Sequence, residues 1–204
     1  MKFDMSIAQL NYITSSLEVI RGEGAVLEIG VGGGATSIMI NNFMKERSIS
    51  RRFYAIDTFS GFAAEDIQFE KNNRGKSDNY LYYRSNSKKW YVKTLTAHGF
   101  ANATVFQADA KEFDYSVIGP LAFCLFDVDL YKPTKSVLPL LYSILIPGGV
   151  IVVDDCSTET SIYDGAGQAY REFCSEQGLH VELLFEKLGV VRKPLSDRHA
   201  DLSN

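Results

Sequence analysis

An apolar run followed at once by a cluster of glycines constrains the fold of this chain most strongly. Residues 25–29 have the composition of a strand buried on both faces, and glycine fills four of the five positions 30–34. Residues 36–43 then have the pattern of a helix. A strand, a glycine turn and a helix open a nucleotide-type cofactor site, because glycines let the main chain approach a ligand and a helix start presents unpaired N–H donors.

The glycine turn alone leaves the ligand open. The spacing Gly30-x-Gly32-x-x-Ala35 also fits the dinucleotide fingerprint, which binds a pyrophosphate, and such a turn can simply be a tight connection. Glu28 stands two residues before the first glycine. A carboxylate at that position suits a cationic or hydroxyl-bearing ligand better than a phosphate. Glu28 therefore favours a cofactor other than a dinucleotide.

Strands and helices alternate along the rest of the chain, which predicts a doubly wound, mostly parallel α/β sheet in one domain spanning residues 1–204. A helix within residues 1–24 comes first, and the last two strands form an antiparallel hairpin before a polar, flexible tail at residues 194–204. Pro139 is expected to kink the helix that contains it. Further strands are predicted at residues 53–56, 103–106, 121–126, 150–153, 180–185 and 189–192. The first helix is predicted at residues 4–20, and further helices at residues 87–98, 133–145 and 164–176.

Composition excludes several classes of protein. The formal net charge of −4 argues against a nucleic-acid partner, which wants a basic surface. No apolar run is long enough to span a bilayer, and the first residues lack the layout of a secretion signal. The three cysteines have no zinc-type spacing, so a reducing cytoplasm is the expected location.

Acidic residues close the predicted strands one after another. In a sheet of this kind ligands bind beyond the carboxyl ends of the strands, so these side chains share one edge. Asp57 follows the second strand, where a carboxylate can accept hydrogen bonds from ribose hydroxyls, or can cap a turn. Asp109 follows the third strand and either accepts from an adenine amino group or caps the next segment.

A second acidic group predicts a metal site. Asp127 ends the fourth strand, and Asp154 and Asp155 end the fifth. Two carboxylates about 4 Å apart repel each other by roughly 4 kcal/mol at an effective dielectric constant of 20, so three together need a cation or protons. An all-oxygen set favours Mg²⁺ or a similar ion. The role of Asp129, two residues further on, stays open.

A long polar stretch at residues 59–85 is expected to be irregular and to act as a lid or acceptor-binding insertion. Its tyrosines, Tyr80, Tyr82 and Tyr83, are the expected determinants of the acceptor. Residues 84–93 are basic with two aromatics, which suggests a nucleic-acid patch or, more simply, a solvated helix face. A homodimer through the first helix or the lid is also expected.

Four motifs together resemble the macrocin O-methyltransferase family: LEIGVGGGATS at 27–37, DTFSGF at 57–62, DVDLYKPT at 127–134 and IPGGVIVVDD at 146–155. The resemblance implies a seven-stranded, Rossmann-like class I methyltransferase fold, S-adenosylmethionine as cofactor and a divalent metal. It assigns Glu28, Gly30 and Gly32 to the methionine end of the cofactor. It assigns Asp57 and Thr58 to the ribose, Asp109 and Ala110 to the adenine, and Asp127, Asp154 and Asp155 to the metal.

The resemblance implies methylation of a hydroxyl on a small molecule, such as a sugar or a natural-product glycoside, by in-line displacement. Asp127 or Asp129 would take the proton, and Tyr131 and Lys132 would contact the acceptor. Two alternatives remain at this point. They are a NAD-type oxidoreductase, favoured by the glycine turn, and a non-catalytic protein that binds a cofactor or a nucleic acid.

Overall fold

A seven-stranded sheet with the order β3-β2-β1-β4-β5-β7-β6 forms the centre of the protein. The computed structural model describes residues 5–195. The first five strands are parallel, and β7 pairs antiparallel with both β5 and β6. The strands are β1 (Ala25–Ile29), β2 (Phe53–Asp57), β3 (Thr104–Gln107), β4 (Leu121–Phe126), β5 (Leu145–Val153), β6 (Glu182–Leu184) and β7 (Leu188–Arg192).

Six α-helices surround the sheet in the described part of the chain. They are α1 (Ile7–Val19), α2 (Ala35–Glu46), α3 (Ala64–Arg74), α4 (Lys88–Ala97), α5 (Tyr131–Ile144) and α6 (Asp164–Gln177). Ser6 and Gln9 start α1 with a reciprocal capping box. None of the helices in residues 5–195 is long and apolar enough to cross a bilayer.

Alternation along each buried strand divides the core into two layers. Val26 packs with side chains of α1, α2 and α4 on one face of the sheet, and Leu27 packs with those of α5 and α6 on the other. The strand order reverses between β1 and β4, so the crossovers leave a crevice at the carboxyl ends of these two central strands. This is where the glycine turn and the acidic residues meet.

The predicted doubly wound sheet and its final hairpin are confirmed, whereas the region after β2 differs from the expectation. The stretch predicted to be irregular contains α3, although its sequence is polar. Glu70 and Arg74 explain this helix, because they pair with each other at 2.7 Å, and Arg74 also reaches Asp164 of α6 at 2.5 Å. Charged contacts, rather than an apolar stripe, dock this helix on its neighbours.

Smaller differences concern prolines and aromatics. Helix α5 continues through Pro139, whose exposed position lets water satisfy the carbonyl group that loses its helical partner. In the basic stretch, Tyr91 is buried but Trp90 is 65% exposed, so only one of the two rings packs inward. Most of the tail predicted to be flexible lies outside the described residues.

Candidate active site

A cavity lies at the carboxyl edge of the parallel strands, and its wall includes most of the residues selected from the sequence. Each of the five parallel strands contributes an end or a following turn. The predicted residues on the wall are Gly30, Gly32, Asp57, Thr58, Asp109, Ala110, Asp127, Asp129 and Asp154. Four predicted residues are not part of this wall, namely Glu28, Tyr131, Lys132 and Asp155.

The glycine turn follows β1 and faces the cavity. Gly32 and Gly33 have open space where a side chain would begin, so a ligand can approach their main chain closely. Asp57 at the end of β2 holds this turn. Its two carboxylate oxygens accept hydrogen bonds from the N–H groups of Val31 at 2.8 Å and Phe59 at 2.6 Å. Each oxygen keeps a further lone pair with which it can accept from a ribose hydroxyl.

Glu28 lies beneath the turn and is not part of the cavity wall. Its side chain is fully buried and accepts hydrogen bonds from the hydroxyls of Thr36 and Ser37 in the first turn of α2. Burial raises the pKa of Glu28 to about 7, although both hydrogen bonds act in the opposite direction. These hydrogen bonds hold the start of α2 behind the glycine turn, and the contact of Glu28 with the cofactor stays a prediction.

Asp109 is tied to a buried lysine that sequence reasoning missed. One Asp109 oxygen accepts from the N–H of Lys111 at 2.9 Å, and the other lies 3.0 Å from Lys111 Nζ. The same ammonium is 2.5 Å from Asp66 and 3.0 Å from Glu65, both on α3. Lys111 thus fastens α3 to the end of β3. Nothing in its sequence context marked this role, because its partners lie far back in the chain.

Asp127, Asp154 and Asp155 come together as predicted. Each offers a carboxylate oxygen, and these oxygens all lie within 4.8 Å of one another. Burial and then the charge of Asp155 raise the pKa of Asp154 to about 6, and burial, Asp154 and Asp155 raise the pKa of Asp127 well above its ordinary range. Asp154 Oδ1 is buried without a hydrogen-bond partner. A hard divalent cation fits this set of oxygen donors.

Lys187, which the sequence did not single out, also contacts this group. Its Nζ lies 3.0 Å from Asp154 Oδ2 and 3.0 Å from Asp155 Oδ1. Burial disfavours the ammonium, but the two carboxylates outweigh it and raise the pKa of Lys187. The lysine comes from the turn between β6 and β7, and two elements, α6 and β6, separate it from the acidic pair along the chain.

Asp129 points toward the acidic group and not away from it. Its main chain is in the left-handed region, with φ of 62°, and only 8% of the residue is exposed. Burial, the charge of Asp127 and a hydrogen bond with Asp155 raise its pKa well above the ordinary range. Asp129 therefore presents its carboxyl group at the cavity beside the candidate metal ligands.

Tyr131 and Lys132 occupy the first turn of α5 and are not part of the cavity wall, and their contact with the acceptor stays a prediction. The N–H of Tyr131 donates to Glu70 at 2.8 Å, and its hydroxyl donates to Glu172 at 2.8 Å. Lys132 faces Glu65 at 3.5 Å. These contacts turn both side chains toward α3 and α6, whereas Leu130 and Pro133 reach the cavity.

Aromatic side chains border the cavity on the side of residues 59–85. The ring centroid of Phe62 lies 5.8 Å from that of Tyr80, 5.9 Å from that of Tyr83 and 6.2 Å from that of Tyr163. Phe62 and Tyr83 contribute to the wall, and Tyr82 and Tyr83 are 49% and 44% exposed. Of the three expected tyrosines, Tyr83 lines the cavity, whereas Tyr80 is buried and Tyr82 is not part of the wall.

This sheet order, with a glycine turn and acid-tipped strands around one crevice, defines a Rossmann-like class I methyltransferase. Comparison with known proteins narrows the class. The profile of the family described as Macrocin-O-methyltransferase (TylF) matches residues 4–188. The chain belongs to this family and is an S-adenosylmethionine-dependent O-methyltransferase, which removes the oxidoreductase alternative left open by the glycine turn.

Solved structures agree with the fold. The O-methyltransferase NovP is 19% identical, with a TM-score of 0.74 over 93% of this chain and 81% of its own. The calicheamicin methyltransferase CalS11 is 20% identical, with a TM-score of 0.70 over 91% of this chain and 77% of its own. A precorrin-6y C5,15-methyltransferase from Geobacter metallireducens is 16% identical, with a TM-score of 0.59 over 93% and 88%. No curated protein sequence matches the chain.

Proposed function

We propose that this enzyme transfers the methyl group of S-adenosylmethionine to a hydroxyl of a sugar or a natural-product glycoside, with a divalent cation such as Mg²⁺ at Asp127, Asp154 and Asp155. The observation that carries the proposal is that these three carboxylates converge within 4.8 Å at the edge of the cavity that also contains the glycine turn. The proposed cofactor turn and the three proposed metal ligands therefore lie at the same cavity.

The cofactor is proposed to lie along the ends of β1, β2 and β3. Gly30 and Gly32 would border its methionine end, with open space at Gly32, and the carboxylate of Asp57, beside Thr58, would accept hydrogen bonds from the ribose hydroxyls. Asp109 and Ala110 would border the adenine. Positioning of this kind can lower a reaction barrier by roughly 7–11 kcal/mol in well-oriented systems.

A bound divalent cation supplies Lewis acidity, which lowers the pKa of an acceptor hydroxyl. The residues of the chain do the remaining work. Asp129 lines the cavity and is not one of the three cation-binding carboxylates, so we assign to it the proton of the acceptor. The C–S bond of the sulfonium breaks as the new C–O bond forms, S-adenosylhomocysteine leaves, and the hydroxyl proton passes to Asp129 Oδ.

The acceptor class rests on the neighbours and on the charge of the cavity. CalS11 is described as a TDP-rhamnose 3'-O-methyltransferase, which supports a sugar as acceptor. The described wall residues include acidic groups but no lysine, arginine or histidine, so the sugar of an acceptor would lie in the cavity and any phosphate of a sugar nucleotide would lie outside it. The aromatic rings of Phe62 and Tyr83 on the cavity wall suit the apolar face of a sugar. The free thiols of the three cysteines suit a cytoplasmic enzyme.

Calorimetry and a turnover assay test the proposal. S-adenosylmethionine should bind, whereas NADH and a short oligonucleotide should not. Methyl transfer to a panel of neutral glycosides should release S-adenosylhomocysteine, and excess EDTA should stop it. Asp154→Asn should abolish turnover while keeping the affinity for S-adenosylhomocysteine, and the exposed Glu112→Gln should change neither. Full turnover of Asp154→Asn, or full turnover in EDTA, would contradict the metal role.

A further inference from the structure

Lys187 is fixed against the acidic strand end by its main chain as well as by its side chain. It closes the turn that joins β6 to β7, in which Phe185 and Glu186 both have left-handed backbones, with φ of 50° and 65°. The carbonyl oxygen of Lys187 accepts a hydrogen bond of 2.7 Å from the N–H of Cys156, the residue that follows the acidic pair. The position of this lysine is therefore set by the fold.

The ammonium group of Lys187 lies between two carboxylates whose mutual repulsion a positive charge can offset. Nζ is 3.0 Å from one oxygen of Asp154 and 3.0 Å from one oxygen of Asp155, so a single positive charge bridges two of the three converging carboxylates. The side chain of Lys187 is 27% exposed, whereas that of Asp154 is only 5% exposed. The ammonium can therefore withdraw toward solvent along its flexible stem, but the carboxylate cannot.

We propose that Lys187 is a resident cation that competes with the divalent ion for Asp154 and Asp155, and thereby sets the affinity of the enzyme for its metal. This inference rests on the metal site of the proposed function. Mg²⁺ binds carboxylate oxygens at short distances, and a divalent ion drawn into the group would repel an ammonium that shares the same two carboxylates. Entry of the metal therefore displaces Lys187 Nζ from the pair.

Two consequences follow for the protein without metal and with it. Without metal, Lys187 offsets part of the repulsion among the carboxylates, so the metal-free protein keeps a well-defined acidic edge. With metal, the enzyme loses the lysine contacts, so its metal affinity is lower than that of the same three carboxylates without a lysine. Lys187 is thus a positioning residue and not a catalytic one.

Lys187→Met tests this directly, because methionine keeps most of the apolar stem and removes the charge. Lys135→Met is the matched control, since Lys135 also contacts two carboxylates, Glu172 at 3.0 Å and Glu176 at 2.5 Å, on the surface of α5 and α6. MgCl₂ and MnCl₂ are titrated calorimetrically into each EDTA-stripped, full-length protein. Thermal unfolding is recorded in EDTA and in excess MgCl₂.

We expect the dissociation constant of Lys187→Met for Mg²⁺ to fall at least about fivefold, the lower end of typical coupling between sites. We also expect its Tm in EDTA to lie below that of the wild type, and the gap to close in MgCl₂. Lys135→Met should bind Mg²⁺ as the wild type does. An unchanged or weaker Mg²⁺ affinity of folded Lys187→Met would overturn the proposal.

Lys187→Arg provides a second test, which can be carried out even if the methionine variant does not fold. A guanidinium group pairs with carboxylates through two parallel hydrogen bonds, so it should hold the acidic pair more firmly and weaken Mg²⁺ binding. Tighter or equal binding by this variant contradicts competition. If only Lys187→Met binds Mg²⁺, the lysine excludes the ion from the wild type, which supports the competition but contradicts the metal role in the proposed function.

If no variant binds either metal, both the competition and the metal site are wrong. The methyltransferase proposal is then judged separately, because S-adenosylhomocysteine binding is measured on the same samples. Loss of that binding as well would contradict the proposed function, whereas its retention would limit the failure to the metal.

Discussion

A β-carbon built on Gly30 would lie 1.7 Å from the carbonyl oxygen of Asp127. The first residue of the glycine turn therefore packs directly on the main chain that carries one of the candidate metal ligands. Gly30 also has a left-handed backbone, with φ of 79°. The cofactor turn and the acidic edge are joined at this point, and glycine is required there by the neighbouring strand as well as by the ligand.

Gly30→Ala should destabilise the protein by at least about 3 kcal/mol, because a main-chain clash adds to the strain of a left-handed alanine. Urea unfolding measures the loss. Gly33→Ala is the matched control, since nothing lies within 4 Å of its added carbon. That variant should keep its stability but bind S-adenosylhomocysteine less tightly. Equal urea midpoints for Gly30→Ala and the wild type would show that the two strand ends do not press on each other.

Glu28→Gln should remove a pH dependence of stability. Because the pKa of Glu28 rises from 4.5 to about 7 on folding, the folded protein binds more protons than the unfolded chain between these values. Stability from this group is therefore greatest below about pH 4.5 and is lost as the pH rises to about 7, by roughly 3 kcal/mol in all.

The measurement is the difference in unfolding free energy between wild type and Glu28→Gln across this range, with EDTA in both samples. Taking the difference removes most of the contribution of Asp129 and Asp154, which the two proteins share, and leaves the effect of the Glu28 charge on Glu28 itself and on Asp127. The difference should shift in favour of the glutamine variant as the pH rises. A constant difference would mean that folding leaves the pKa of Glu28 near its ordinary value.

Lys111→Met should destabilise the protein by about 3–5 kcal/mol, because it leaves the buried carboxylate of Asp66 without its partner at 2.5 Å. A second substitution, Asp66→Asn, should restore part of the loss by removing the unpaired charge. Urea unfolding of the single and double variants measures both effects. Glu65→Gln breaks a contact to the same ammonium, but the side chain of Glu65 is 61% exposed. The urea midpoint of this variant should therefore equal that of the wild type. A double variant that is less stable to urea than Lys111→Met alone would contradict this account.

Asp129→Asn should lower turnover by about 10²–10⁴-fold, the usual contribution of a positioned proton acceptor. S-adenosylhomocysteine affinity and Mg²⁺ affinity should stay near those of the wild type, because Asp129 is not in the cation-binding set. Calorimetry and a methyl-transfer assay on the same preparation separate these quantities. Turnover within a few-fold of the wild type would show that another group accepts the proton.

The sequence could predict the sheet and its acidic edge because both depend on short-range patterns. Strand endings are marked by local composition, and parallel strands necessarily bring their carboxyl ends to one edge, so Asp127 and Asp154 could be placed together. The face of a strand buried on both sides cannot be told from apolar composition. For this reason the hydrogen bonds of Glu28 to Thr36 and Ser37 at the start of α2 were not predictable.

The missed residues depend on contacts distant in the chain. Lys187 reaches Asp154 only because the final hairpin folds back beside β5, and Lys111 meets Asp66 only because α3 docks on the end of β3. Helix α3 itself lacks an apolar stripe, and the ion pairs of Arg74 hold it in place. Periodicity carries no signal for an element whose docking depends on such pairs.

The place of β7 between β5 and β6 has a consequence for the growing polypeptide. The ribosome makes β7 after both neighbours, so the outer edge of β5 stays unpaired until the hairpin has emerged. During that interval the carboxylates at the tip of β5 have no lysine beside them. The nascent protein thus carries an open strand edge next to the adjacent carboxylates of Asp154 and Asp155, and like-charge repulsion at that tip disfavours pairing with another copy of the same strand.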